Sequence, residues 1–204
     1  GKFPSSKIFK NKYKLQPKEG LAIINGTQFS TSLAIVALSK INRLIKIADI
    51  VSSLSLEGLL GSDIAFRKDV QSVKLNLEQL NVAENLRFLL KDSEIHNSHK
   101  DCNRVQDMYS LRCIPQVHGA SRELLINIFK IVENELNSVS DNPIVLSDSN
   151  EIISSGHFHA EIIAQAMDSA AISVSSFATI SERRIYSLID GKFGLPPFLI
   201  EDPG

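Results

Sequence analysis

Residues 160–189 read AEIIAQAMDSAAISVSSFATISERRIYSLI, and this stretch decides the fold class. Its apolar side chains recur every three or four residues, which is the period of one helical face. These positions are Ile163, Ala164, Met167, Ala170, Ala171, Val174, Phe177 and Ala178. Such a helix would be about 45 Å long, and two glycines and two prolines between residues 191 and 197 predict its end. Because Ala and Ser let neighbouring helices approach closely, we expect it at the centre of a bundle.

Two further helices are predicted upstream. Residues 121–139 show an amphipathic helical pattern, and residues 144–146 and 151–153 flank a turn-forming segment, which predicts a β-hairpin. Residues 30–51 are apolar on almost every face, which is typical of a helix buried among others. Their narrow polar strip consists of Ser39, Asn42, Arg43, Lys46 and Asp49. The fold class is therefore expected to be mainly α, a bundle of long antiparallel helices with one small β-hairpin.

The composition favours a globular chain with neither a nucleic-acid nor a membrane partner. The 204 residues include 22 Lys+Arg and 23 Asp+Glu, a net charge of −1, and 43% are hydrophobic. This length suits one domain with a sizeable core. The charge lacks the cationic excess through which proteins bind nucleic acids or acidic membranes. The longest purely apolar runs, such as residues 33–38, are far shorter than the roughly 20 residues that cross a bilayer.

Cysteine content and the amino terminus suggest location and domain limits. Two cysteines, Cys102 and Cys113, are too few for a disulfide scaffold, and no export leader opens the chain, so we expect a cytoplasmic location.

Six of the first nineteen residues are lysines. Residues 1–19 are interpreted as a basic linker or arm, which could bind polyanions but is equally explained as a solvated connection. Residues 20–204 form the predicted helical domain.

Potential zinc ligands occur at His96, His99, Cys102, His157 and His159. A structural zinc site normally closes with four ligands at recognisable pairings, and the second histidine pair would converge only in an extended segment. We therefore expect no metal, with His96 and His99 as polar residues of a loop and a helix start.

Gln106, Tyr109 and Arg112 are spaced by three residues. On a helix they would share one face and present an amide, a phenol and a guanidinium, whose paired N–H groups grip a carboxylate. Exposed helices often carry this combination, so the pattern gains its meaning from the surrounding sequence.

Seven sequence blocks follow one another in a distinctive order. They are KEGLAIINGTQ (18–28), SHKDC (98–102), IPQVHGA (114–120), SDNP (140–143), GHFHAE (156–161), SERR (181–184) and LPPFL (195–199). Together they resemble the aromatic amino acid ammonia-lyases over nearly the whole chain from about Pro17. The SHKDC block ahead of residues 105–107 makes the histidine ammonia-lyases the most similar branch.

The resemblance implies a reaction and a prosthetic group. Enzymes of this family eliminate ammonia from an amino acid by covalent catalysis with a tyrosine base. Their electrophile is 4-methylidene-imidazole-5-one (MIO), which forms from an Ala-Ser-Gly triplet. In the histidine branch the substrate is L-histidine and the product is trans-urocanate. Family members are homotetramers whose active sites combine several subunits, so we also expect this chain to self-associate.

The resemblance also implies roles for five residues. Asn25 matches an asparagine that hydrogen-bonds MIO and the substrate amine region, and Gln106 matches an amide lining the same pocket. Tyr109 matches an active-site tyrosine beside the electrophile. Arg112 matches the arginine that holds the substrate carboxylate, and Phe158 matches the phenylalanine that packs over the reacting centre.

The sequence departs from the family pattern at several points. Met108 replaces the usual proline, and His157 replaces an asparagine. The Ala-Ser-Gly triplet, the base tyrosine and a further glutamate are missing, and residues 154–156 (SSG) lie where relatives have other residues, so we reject them as the cyclising site.

We interpret the chain as a lyase fragment that cannot turn over histidine alone. The alternatives are a phenylalanine or tyrosine lyase, an aminomutase, or a non-catalytic helical oligomerisation module.

Overall fold

The computed structural model describes residues 13–101, 103–191 and 193–202. In these ranges the elements are α1 (Glu19–Ile24), α2 (Gln28–Gly58), α3 (Lys68–Ser72), α4 (Leu77–Leu89), α5 (Glu94–Ser98), α6 (Tyr109–Arg112), α7 (Ile114–Leu136), β1 (Ile144–Leu146), β2 (Glu151–Ile153) and α8 (Glu161–Ile189). Single 3-10 turns lie at Ile64–Phe66 and Pro197–Leu199. The first twelve residues of the expected basic arm lie outside the described residues, and residues 13–18 are exposed.

The mainly helical fold and the hairpin are confirmed. α8 agrees with its predicted limits, and β1 pairs with β2 in antiparallel register, Val145 opposite Ile152. α2 is longer than predicted at both ends. α7 begins seven residues earlier than expected, because Pro115 sits in its first turn, where a missing N–H costs no hydrogen bond. α4 was not among the predicted elements.

Two apolar clusters fix how the long helices pack. Near one end, Leu56 of α2 and Ile114 of α7 meet Ile180 of α8, with α4 packed beside them. Near the other end, Leu38 of α2 and Val132 of α7 share a cluster with Ile163 of α8. α7 therefore runs antiparallel to both α2 and α8, and the bundle keeps this order along its length.

A buried polar group links the helices along the bundle. Asp49 of α2 is only 3% exposed, so its expected place on a solvent-facing strip is wrong. Its carboxylate accepts hydrogen bonds from His118 Nδ1 (2.8 Å), Arg122 Nη2 (2.6 Å) and Asn85 Nδ2 (3.1 Å). Three donors from α4 and α7 compensate the carboxylate for the water it loses.

α2 keeps a large apolar face exposed in the single chain. Leu33, Val36, Ile47 and Leu54 are each about half or more exposed. By length and composition alone, the region Glu19–Gly58 is long and apolar enough to cross a membrane. Its most apolar 18-residue window has a mean hydropathy of 1.5, and 22% of that window is buried. The core helix of a globular protein passes the same test, and one such helix is weak evidence for a membrane span, so the absence of a membrane partner stays a prediction.

Gly119 allows α7 and α4 to approach each other closely. A Cβ at this position would lie 2.5 Å from the Gln79 backbone, too close for any real contact. We expect Gly119→Ala to lower the free energy of unfolding by about 1–3 kcal/mol, because the two helices must move apart. Urea unfolding measures this. Gly156→Ala is the control, since nothing lies within 4 Å of its Cβ position; equal effects of the two substitutions would contradict the packing.

The buried His118 imidazole should make stability depend on pH. Burial lowers the pKa of His118, although the Asp49 carboxylate opposes this and the Arg184 and Arg122 charges reinforce it. Below about pH 6.5, the ordinary histidine pKa, the unfolded chain binds a proton that the folded chain rejects. The free energy of unfolding should therefore fall as the pH decreases from about 7.

His118→Gln is expected to flatten this dependence, as measured by urea unfolding at a series of pH values. His159→Gln, at an exposed loop position, should keep the slope of the unmodified chain. A slope that persists in full in His118→Gln would assign the dependence to another group.

Candidate active site

Tyr109 and Arg112 lie on the short helix α6, but Gln106 does not. Residues 103–108 are not helical, so the expectation that all three share one helical face is wrong for Gln106. Met108, just before α6, has an extended backbone (φ −65°, ψ 158°), and this ends any helix that would include Gln106. The value of φ is the one that proline imposes, so methionine here keeps the proline-like backbone.

Arg112 and Gln106 nevertheless border one cavity. This cavity has a volume of about 250 Å³ and is also lined by Ser62, Arg104 and Asp107. The Arg112 guanidinium carbon lies 4.7 Å from the centre of the Tyr109 ring. Arg112 Nε is buried without a hydrogen-bond partner among the described residues. The guanidinium is thus partly sheltered from water and retains an unused donor.

Asn25 lies in a second polar cluster. Its side chain lies near enough to Asp141 to lower the pKa of that carboxyl, and Asp141 receives a 2.5 Å contact from Lys18 Nζ. Lys18, the Asn142 backbone N–H and Asn25 all lower the pKa of Asp141, Lys18 most strongly. Next to Asn25, a Cβ on Gly26 would lie 2.1 Å from the Ser140 carbonyl oxygen, so this close approach requires glycine.

Phe158 follows β2 at the same end of the bundle as Asn25. The Ser155 N–H donates to Asn142 Oδ1 at 2.7 Å, which ties the loop before Phe158 to the Asp141 region. His157 Nδ1 lies 2.7 Å from Ser155 Oγ, so the imidazole that replaces the family's asparagine contacts its own loop. Phe158 itself is 43% exposed.

A single chain does not bring the five predicted residues together. Asn25 is next to the carboxyl end of α7, where Thr27 Oγ1 donates to Glu135 at 2.6 Å. Arg112 precedes the amino end of the same helix. The 23 residues of α7 span about 35 Å. The candidate residues therefore fall into two groups at opposite ends of the bundle, Gln106/Tyr109/Arg112 and Asn25/Phe158, which are called half-sites below.

The potential metal ligands have other partners. His96 Nε2 lies 3.3 Å from Asp63, and both nitrogens of His99 contact carbonyl oxygens, those of Ile95 and Gly61. Among the described residues, no group of three or more His, Cys, Asp or Glu side chains could hold a metal. Cys102 lies outside the described residues.

Residues 7–204 match the family described as aromatic amino acid lyase, and the chain belongs to this family. Among its relatives, the histidine ammonia-lyase of Anaeromyxobacter dehalogenans (strain 2CP-C) is 44% identical over 193 residues, covering 93% of this chain and 38% of that protein. The histidine ammonia-lyase of Mus musculus is 46% identical over 195 residues, covering 93% of this chain and 30% of that protein. The chain thus spans well under half the length of these relatives.

Solved structures of the family share the fold. Histidine ammonia-lyase from Trypanosoma cruzi superposes with a TM-score of 0.84 and 37% identity, covering 95% of this chain and 36% of that one. Phenylalanine aminomutase of Pantoea agglomerans superposes with a TM-score of 0.87 and 33% identity, covering 94% of this chain and 41% of that one. The fold is thus shared by proteins named for different reactions.

The family uses MIO. This chain has side-chain amides of the kind that could hydrogen-bond such a group, but it lacks the triplet from which the group forms. The Ala-Ser-Gly triplet does not occur among the 204 residues. Asn25 and Gln106, which lie in separate half-sites, each carry an amide N–H donor of the kind that the carbonyl oxygen of an imidazolone ring would accept from.

Sequence reasoning missed the residues that hold the half-sites in place. Asp107 accepts hydrogen bonds from the Ser62 N–H (2.6 Å) and from Arg104 (2.7 Å). Arg184 is 1% exposed and reaches the Ser110 carbonyl. The SERR block that contains Arg184 carried the family resemblance but no role for this residue.

The Lys18–Asp141 contact gives a direct test of the Asn25 half-site. Lys18→Met should raise the pKa of Asp141 towards its ordinary value, because the largest cause of the lowering is removed. Carboxyl carbon shifts in an NMR titration measure it. Lys14→Met, at an exposed position, should leave the pKa of Asp141 unchanged; no difference between these two variants would exclude the contact in solution.

Proposed function

We propose that this chain is the central helical part of a histidine ammonia-lyase, an enzyme that eliminates ammonia from L-histidine to give trans-urocanate. Support for the histidine branch comes from its curated relatives at 44–46% identity. Among the solved structures, the histidine enzyme is 37% identical and the phenylalanine aminomutase 33%. The observation that carries the proposal is the sheltered Arg112 guanidinium beside Gln106 and Tyr109.

Arg112 is proposed to hold the substrate carboxylate. A guanidinium stays charged at any physiological pH and offers paired donors that match the two carboxylate oxygens. Its contact with the Tyr109 ring orients the side chain. Because Arg112 is half-buried, the attraction between its guanidinium and the substrate carboxylate would be stronger than in water.

Tyr109, Asn25 and Gln106 are proposed to surround the reacting part of the substrate. MIO, when present, supplies the electrophile that makes the amine a leaving group. Tyr109 would lie beside it, and Asn25 and Gln106 would hold it by amide hydrogen bonds. Phe158 would exclude water from the reacting centre. The triplet that forms MIO would have to come from polypeptide outside these 204 residues.

A complete site is proposed to need more than one subunit. The two half-sites are about 35 Å apart on one chain, so an Asn25 from one copy would have to meet an Arg112 from another. The exposed apolar face of α2 provides the surface for such self-association. In the cell, we propose a cytoplasmic homotetramer that binds neither nucleic acid nor a membrane.

Replacing Arg112 tests the proposed reaction. In a polypeptide that carries these residues together with the Ala-Ser-Gly segment, Arg112→Met should lower kcat/KM for L-histidine about a hundredfold, since losing the partner of a buried carboxylate costs about 3 kcal/mol. Urocanate absorbance in the ultraviolet follows the reaction. The 204-residue chain alone should form no urocanate.

Arg67→Met is the matched control, because Arg67 pairs with Asp69 on an exposed surface and should leave kcat/KM unchanged. Faster turnover of phenylalanine or tyrosine than of histidine would assign the chain to a different branch. Sustained urocanate formation by the chain alone would exclude the need for the triplet.

A further inference from the structure

The segment that carries Tyr109 and Arg112 is too short to hold its own shape. α6 has four residues, and an isolated helix of this length is unstable because its first turn costs more entropy than its hydrogen bonds return. The positions of the two side chains therefore depend on what packs against α6. Leu111 supplies one anchor, being fully buried with Leu56 and Ile180.

Helix α8 supplies polar anchors on the other side. Arg184 Nη1 donates to the Ser110 carbonyl oxygen at 3.4 Å, and its Nη2 donates to Ser181 Oγ at 2.9 Å. Ser187 Oγ lies 3.0 Å from the sulfur of Met108 and 2.9 Å from the Arg183 carbonyl. Both contacts reach the backbone or side chain of the residues that flank Tyr109.

Arg184 is an unusual residue to find in this place. It is 1% exposed, and its hydrogen-bond acceptors found among the described residues are the neutral Ser110 carbonyl and Ser181 hydroxyl. Burial lowers the pKa of Arg184 to about 10, so it is still charged at neutral pH. A buried guanidinium with only neutral acceptors is costly where packing alone is needed, since an apolar side chain fills the space at lower cost. The hydrogen bonds that its N–H groups donate must therefore do something that apolar packing cannot do.

We infer that Arg184 is a positioning residue for α6: by fixing the Ser110 carbonyl, it sets the direction in which Tyr109 and Arg112 point. It touches neither the proposed substrate nor its cavity, and it acts through the backbone between the two side chains. The consequence for substrate binding rests on the proposed function, whereas the effect on α6 does not.

Amide hydrogen exchange of the chain tests the effect on α6. Arg184→Met fills the same space without donors and should speed the exchange of the Leu111, Arg112 and Cys113 amides at least tenfold, because these amides bond within the Met108–Cys113 turn. The Val82 and Leu86 amides of α4, in the same core, should change less than twofold. Arg184→Lys, which keeps a charged donor, should restore part of the protection.

Arg183→Met is the matched control. Arg183 is the adjacent residue, but its side chain is exposed and pairs with Glu182, so exchange in α6 should stay within twofold of the unmodified chain. In a Cys102→Ser background, the labelling rate of the Cys113 thiol provides a second local reading, expected to rise only in the Arg184 variants.

Unchanged exchange at residues 111–113 in Arg184→Met would overturn the inference, and so would an equal acceleration in α4, which marks a merely structural role. Should Arg184→Met fail to fold, Arg184→Gln, a shorter and neutral side chain, decides in the same way: acceleration confined to α6 supports positioning, and uniform or absent acceleration refutes it.

Kinetics of the lyase-active polypeptide separate this inference from the proposed function. Arg184→Met should raise KM for L-histidine about tenfold with a smaller change in kcat, because a displaced Arg112 weakens the hold on the carboxylate. A polypeptide without any lyase activity would refute the proposed function while the exchange result for α6 still stands. A normal KM together with faster exchange would show that Arg184 orders α6 but does not influence substrate binding.

Discussion

Three helices meet at one buried carboxylate. Asp49 of α2 accepts hydrogen bonds from Asn85 of α4 and from His118 and Arg122 of α7. A hydrogen-bonded charge in the interior has a direction, unlike an apolar contact, so it fixes how far α7 can slide along α2. The apolar clusters towards the two ends of the bundle depend on that register, since a one-turn shift would leave Asp49 without its donors.

The same register determines where the half-sites lie. α7 connects the Arg112 region before its first residue with the Glu135 region at its last turn. Because close packing against α2 and α8 holds α7 rigid, the two half-sites cannot approach each other by bending. The distance between them is therefore a property of helix length, and in the proposed enzyme another copy or another segment would have to complete each half.

Apolar periodicity was enough to predict most of the architecture. It gave α8, the hairpin and the middle parts of α2 and α7, because these segments bury continuous apolar stripes. It did not give the early start of α7, since a proline in the first turn resembles a break. It also placed Asp49 in solvent, because a single acid on an apolar helix has the same sequence signal whether water or three buried donors surround it.

The candidate site was predictable only in its residues and not in its geometry. Motif resemblance named Gln106, Tyr109 and Arg112, but spacing by three suggested one helical face, and the extended backbone at Met108 removes Gln106 from it. Proline at this position would hold φ near −65° by its ring. Methionine reaches the same φ, and here its sulfur contacts Ser187 of α8. The restraint that a ring would provide from within the segment is thus supplied by a neighbouring helix, which makes the placement of Tyr109 and Arg112 a consequence of tertiary packing that no local pattern contains.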